Sequence, residues 1–253
     1  MNWLHALLLG LIQGLTEFFP VSSSAHLKFL KTLLGVSHGE ETVIFDLFCH
    51  LGTLVALTLY FRREIIDLLF YHPRRMLPFI VGLVPLVPFY FLLKPVRDAL
   101  SKPEFLGFCL MGTAALLFLA SLIKIREKKE LGLKDALWIG TFQGVALIPG
   151  ISRSAATIGA GLWRGATAFE AVRFSFLLSL PAVLGGTFLE LFKARDHFAH
   201  IEWSTCLMGF AAATIMGLAT VRLAIPLLQK GILRPFAWYC LIAGTVITLY
   251  LYG

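Results

Sequence analysis

The chain has 253 residues, 58% of them hydrophobic and only 15% charged, with a mean hydropathy of +0.80. That balance excludes an ordinary soluble globular domain and an intrinsically disordered chain. The net charge of +7 would suit a nucleic-acid binder, but the basic residues cluster in short connections between apolar runs, where they set membrane topology, so no nucleic-acid partner is expected.

In chain order, residues 1–34 have the apolar look of a signal peptide without its parts. A basic leading region and a small-residue cleavage site are missing, and Gln13 and Glu17 interrupt the run; the segment is expected to belong to the fold. Six stretches then approach the roughly 20 apolar residues needed to cross a bilayer: 43–61, 76–93, 104–123, 170–192, 203–221 and 236–252. Arg62, Arg63, Arg74 and Arg75 follow the first span, Lys124, Arg126, Lys128, Lys129 and Lys134 the third, and Arg222, Lys230 and Arg234 the fifth. They outnumber Lys94, Arg97, Lys102, Lys193 and Arg195 of the opposite side, which puts the richer loops in the cytoplasm and the C-terminus outside. Cys49, Cys109, Cys206 and Cys240 lie singly in apolar runs, as packing residues rather than a disulfide or zinc framework.

The chain also repeats itself. Gly10-Leu-Ile-Gln13-Gly14 recurs as Gly140-Thr-Phe-Gln143-Gly144, and the Pro20 to Ala25 segment is echoed by Pro149 to Ala155 with a one-residue slip. Each copy offers an apolar approach, a Pro/Ser-rich break and a second helical piece too short to cross, the pattern of a re-entrant helical hairpin. Three spans follow each hairpin, and an odd number inverts the second copy. The expected fold is therefore an all-α polytopic membrane protein: one membrane domain over 1–253, with six transmembrane helices plus two re-entrant hairpins in inverted repeats of about 1–123 and 134–253. The two tips would meet near the midplane, where paired helix N-termini favour an anion such as phosphate.

The residues at the tips carry chemistry. Gln13 and Glu17 are four apart on one helical face and suit a shared ligand or metal. A carboxylate at membrane depth is a functional hypothesis by default. Arg153 offers a permanent charge and a planar fork for phosphate oxygens, or a salt bridge to Glu17. His26 suits a general acid, a base or a phosphate acceptor. Ser22, Ser23, Ser152, Ser154 and Thr157 serve as helix caps or as phosphate donors. His50 reads as a structural histidine, Arg173 as an interfacial or structural charge, and Gln143 as packing or tip support or as a catalytic group.

With these motifs in view, the chain resembles the bacitracin-resistance type undecaprenyl-diphosphate phosphatase family. The likeness spans nearly the whole length and rests on Gln13-x-x-x-Glu17, Phe19-Pro20-Val21-Ser22-Ser23, His26 and Pro149-Gly150-Ile151-Ser152-Arg153-Ser154. It implies hydrolysis of undecaprenyl diphosphate, within the bacterial cytoplasmic membrane, to the monophosphate and inorganic phosphate, with a divalent cation, Mg²⁺ or Ca²⁺, and a site open to the outer face. It assigns catalytic or phosphate-binding roles to Glu17, Ser23, His26, Ser152, Arg153, Ser154 and Thr157. The family often has Glu where this chain has Gln13, so a two-carboxylate metal site does not transfer; an amide oxygen still ligates such cations without adding charge. A homodimer is a candidate assembly. The rival class is a lipid flippase or secondary transporter, since inverted repeats with broken helices are common there.

Overall fold

The computed structural model describes residues 1–36, 39–123, 131–195 and 201–253. Among them the regular structure is helical, with no strand. The chain opens with α1 (Trp3–Thr16), started by Asn2, whose side chain accepts the His5 N–H at 2.8 Å. After the turn through Pro20 comes α2 (Ser23–Leu33). At 14 residues, α1 rises only about 21 Å, short of the roughly 30 Å hydrocarbon core. Next are α3 (Glu40–Ile66), α4 (Leu77–Leu83), α5 (Leu86–Leu92), α6 (Lys94–Leu100) and α7 (Leu106–Ser121).

The second half begins with α8 (Leu133–Val145), where Asp135 takes the Gly132 N–H, and α9 (Arg153–Trp163). It continues with α10 (Ala168–Lys193), α11 (Trp203–Gln229) and α12 (Arg234–Tyr252). Two short helices followed by long ones thus recur in each half. Six segments are long and apolar enough to cross a membrane by length and composition: Thr42–Tyr71, Pro73–Leu92, Pro103–Ser121, Ala168–Lys193, Trp203–Gln229 and Arg234–Tyr252. Each overlaps one of the six read from the sequence, the first and the fifth extending further at their C-terminal ends. The second of them is interrupted: Pro85 has no N–H to give, and the Val84 N–H turns back only to Val81, so α4 ends and α5 starts anew.

Packing interleaves the halves. The helix α1 lies along α11, α8 lies along α4, and α7 pairs with α12. Small residues let these backbones close: a Cβ built on Gly10 would stand 2.5 Å from the Gly209 carbonyl, and one on Gly107 2.5 Å from the Gly244 carbonyl. Such approaches replace the hydrophobic drive that lipid does not supply between helices. The main core joins Phe18, Leu106, Leu117, Ala155, Ile158 and Val221 from both halves. Large apolar side chains such as Phe91, Phe188, Ile215 and Leu249 point outward, as a lipid-facing surface requires.

The breaks after α1 and α8 are built differently. In the first, Ser22 takes the left-handed conformation (φ 64°), and its hydroxyl reaches Ser24 instead of capping α2. In the second, Gly150 carries the positive φ (93°), with the Cβ it lacks 2.5 Å from that of Cys109, and Ser152 caps α9 through the Ala155 N–H at 3.3 Å. The sequence reading of serine caps thus fits Ser152 and not Ser22. The positive-inside argument leans on Lys124, Arg126, Lys128 and Lys129, which lie outside the described residues; Arg74 and Arg75, in the exposed turn Pro73–Met76, lie within them.

Candidate functional site

Glu17 ends α1, and its carboxylate side chain is only 8% exposed. A buried charge needs partners, and three donors meet it. Arg153, the first residue of α9, gives an Nη2–H to Oε1 at 2.5 Å. Ser23, the first residue of α2, gives its hydroxyl to Oε2 at 2.6 Å, and Gln13, one turn back on α1, gives Nε2–H to the same oxygen at 2.9 Å. The two tips are thus joined by an ion pair 136 residues apart in sequence. They meet again where the Gly150 N–H donates to Ser24 Oγ at 3.3 Å.

The same Gln13 amide stands 2.8 Å from His50 Nδ1, and that nitrogen is 3.6 Å from Glu17. The amide oxygen of Gln13 is buried with no hydrogen-bond partner. Glu17 and Arg153 line a narrow cleft shared with Thr53 and Ser179, and with the apolar Phe18, Leu57 and Phe176.

His26 lies elsewhere on α2. Its Nδ1 meets the Ser22 carbonyl at 2.8 Å and its Nε2 the Tyr239 hydroxyl of α12 at 2.8 Å. Ser152 and Ser154 are buried with their hydroxyls 3.2 Å apart. Thr157 is fully buried, bonded to the Arg153 carbonyl at 2.8 Å and to Ser175 at 2.5 Å, and does not itself line the cleft. The structure therefore gathers Gln13, Glu17, Ser23 and Arg153, keeps Ser22, Ser152 and Ser154 in the tips, and sets His26 and Thr157 on other contacts. Arg173 pairs with Glu64 and Glu170.

Two neighbours, Thr113 and Tyr239, were not singled out in the sequence, and a third, His50, was read as structural. His50 carried the signal, an ionisable residue four positions after Asp46 inside an apolar span, but the span's hydropathy favoured a structural reading. Thr113 shapes the second tip by taking the Ser152 N–H at 2.9 Å and donating to the Gly150 carbonyl at 3.0 Å. A threonine in an apolar helix gives no such notice. Tyr239 sits among aromatics common at membrane interfaces.

Fold and site together define a helical protein suited to the membrane, with a buried carboxylate paired to a partly exposed guanidinium where two broken helix pairs meet. Residues 6–246 match the model of the bacitracin resistance protein BacA family, and the chain belongs to that family. It is 41% identical over 250 residues to an undecaprenyl-diphosphatase of Protochlamydia amoebophila, covering 97% of each chain. It is 39% identical over 270 residues to the protein of that name from Geobacter metallireducens, covering the whole of both chains. A third, from Bacteroides thetaiotaomicron, is 35% identical over 263 residues, covering 98% of this chain and 99% of the relative.

Proposed function

We propose that the chain hydrolyses undecaprenyl diphosphate to undecaprenyl phosphate and inorganic phosphate in the bacterial cytoplasmic membrane, recycling the carrier lipid of cell-wall synthesis. Membership of the family and the names of its relatives support this. The observation that carries the chemistry is the 2.6 Å bond from Ser23 Oγ to Glu17 Oε2. A hydroxyl aimed at a buried carboxylate is a nucleophile beside its base. Transport alone has no use for that pair.

The reaction is an in-line phosphoryl transfer, in which positioning and charge neutralisation supply most of the catalysis. The Ser23 oxygen attacks the terminal phosphorus while its proton passes to Glu17. The bond from that phosphorus to the bridging oxygen breaks, and the lipid monophosphate leaves. Water then releases phosphate from the serine. Arg153 shifts its fork from Glu17 Oε1 to the transferring phosphate. Ser22, Ser152 and Ser154 hold its remaining oxygens, and Thr157 acts by fixing the Arg153 backbone.

A divalent cation, Mg²⁺ or Ca²⁺, fits as part of this reading. Among the described residues no group of three His, Cys, Asp or Glu could form a cage. Mg²⁺ is commonly held by one or two protein oxygens with substrate phosphates and water completing the shell. Glu17 and the unpartnered Gln13 Oε1 are such oxygens. When bound, the cation neutralises charge on the diphosphate.

The re-entrant character of the two short helix pairs, their inverted relation, a single domain over 1–253 and an outward-facing site belong to the same proposal. Supporting them are the 14- and 11-residue helices of the first pair, the 13- and 11-residue helices of the second, and the reciprocal packing of α1 on α11 and α8 on α4. The direct test is phosphate release from undecaprenyl diphosphate by the purified protein with Mg²⁺ or Ca²⁺. Sustained turnover is expected, and a protein that releases none under either cation is not this enzyme.

A further inference from the structure

The function above leaves His26 without a contact to Glu17 or Ser23, and its surroundings assign it a partner. Ser22 is the one non-glycine among the described residues with a positive φ, 64°. That conformation is costly for a side-chain-bearing residue and persists where its surroundings hold it. One result is a carbonyl placed to accept from His26 Nδ1 at 2.8 Å. A carbonyl only accepts, so Nδ1 carries the hydrogen and Nε2 is left with the lone pair. On that atom, at 2.8 Å, stands the Tyr239 hydroxyl from the far end of the chain, which must donate. The rings lie nearly parallel, 8° apart with centroids at 5.7 Å.

We infer that Tyr239 is a positioning residue for His26: it fixes the tautomer and orientation of an imidazole that stands three residues after Ser23 on α2, and the same inference gives that imidazole a part in phosphoryl transfer. The assignment rests on the phosphatase reading. Tyrosine suits the task because a hydroxyl both donates and accepts. It donates to Nε2 of the neutral imidazole and so keeps the ring hydrogen on Nδ1, against the Ser22 carbonyl. It also ties the first tip to α12, so the histidine is held from both halves of the molecule. Phenylalanine keeps the stacked ring and loses only this hydrogen bond.

The test is a double-mutant cycle on undecaprenyl diphosphate hydrolysis with wild type, Tyr239→Phe, His26→Ala and the double variant. Tyr239→Phe is expected to lower kcat about 3- to 10-fold, the worth of one hydrogen bond, with KM unchanged. In the His26→Ala background the same substitution is expected to change kcat by less than about twofold, since a residue acting only through His26 has nothing left to act on. Equal losses in both backgrounds, a change confined to KM, or full activity of Tyr239→Phe overturns the assignment. So does a Tyr239→Phe protein that loses its folded elution profile in detergent, because the tyrosine is then structural. A wild type without phosphate release defeats the phosphatase reading itself, whereas an active wild type with an additive cycle defeats the Tyr239 assignment alone.

Discussion

Arg153 meets Glu17 with one nitrogen at 2.5 Å, and among the described residues no other acceptor is recorded for its guanidinium. That leaves most of a five-donor fork for an incoming phosphate. Arg153→Lys keeps the charge and loses the fork, so turnover is expected to fall roughly 100-fold with the fold intact; near-normal phosphate release from that variant would remove the arginine from the transfer step. The Ser23 hydroxyl, directed to Glu17, predicts a covalent intermediate. Quenching a terminally labelled reaction in acid preserves a phosphoserine and destroys a phosphohistidine, and base does the reverse. Label is expected to survive acid, to vanish in Ser23→Ala, and to persist with altered kinetics in His26→Ala; an adduct stable only to base makes His26 the nucleophile. The sequence alone left that choice open. It supplied Gln13, Glu17, Ser23 and Arg153 because polar residues at membrane depth announce themselves against an apolar background. It did not supply the direction of each hydrogen, which depends on a 2.6 Å contact made only after α1 and α2 fold back. His50 was visible as a residue and not as a neighbour, since it reaches Gln13 across 37 positions.

At the scale of elements, hydropathy and the internal repeat made all six long apolar segments and both short helix pairs legible. The interruption at Val84–Pro85 was less so, because the two sides together still read as one apolar run. Helix pairing was not legible: a glycine in an apolar helix does not say which backbone it admits. The structure makes Gly10 such a site, with the Gly209 carbonyl 2.5 Å from its absent Cβ, while Gly185 has open space around it. Gly10→Val is expected to force α1 from α11 and destabilise the protein by about 1–3 kcal/mol or more. Gly185→Ala, in the middle of α10, is expected to be neutral or to stabilise slightly, by up to about 1 kcal/mol. Thermal unfolding of the two variants in one detergent checks the contrast. Equal midpoints would mean that α1 and α11 have room to separate.

For the whole molecule, the sidedness of the site follows from which ends of the spans face the cytoplasm. The abundance of Lys and Arg after the first, third and fifth spans leads us to propose that Arg75 and Lys230 lie inside, and Lys102 and Gly253 outside. All four positions are exposed, and the four native cysteines are buried, so substituting those cysteines leaves a background for single-cysteine labelling. A membrane-impermeant maleimide applied to intact cells is expected to label Lys102→Cys and Gly253→Cys, and to reach Arg75→Cys and Lys230→Cys only after permeabilisation. The four positions test the crossing count as well as the orientation. Arg75 and Lys102 flank one stretch, interrupted at Pro85, that must cross fully for them to lie on opposite faces, and Lys230 and Gly253 flank α12 in the same way. Labelling of both members of either pair from one side would mean that the stretch between them does not span. The reverse pattern, with Arg75→Cys and Lys230→Cys labelled from outside, would keep six crossings and turn the first tip, with Glu17 and Ser23, toward the cytoplasm. The diphosphate would then have to be presented on the inner face.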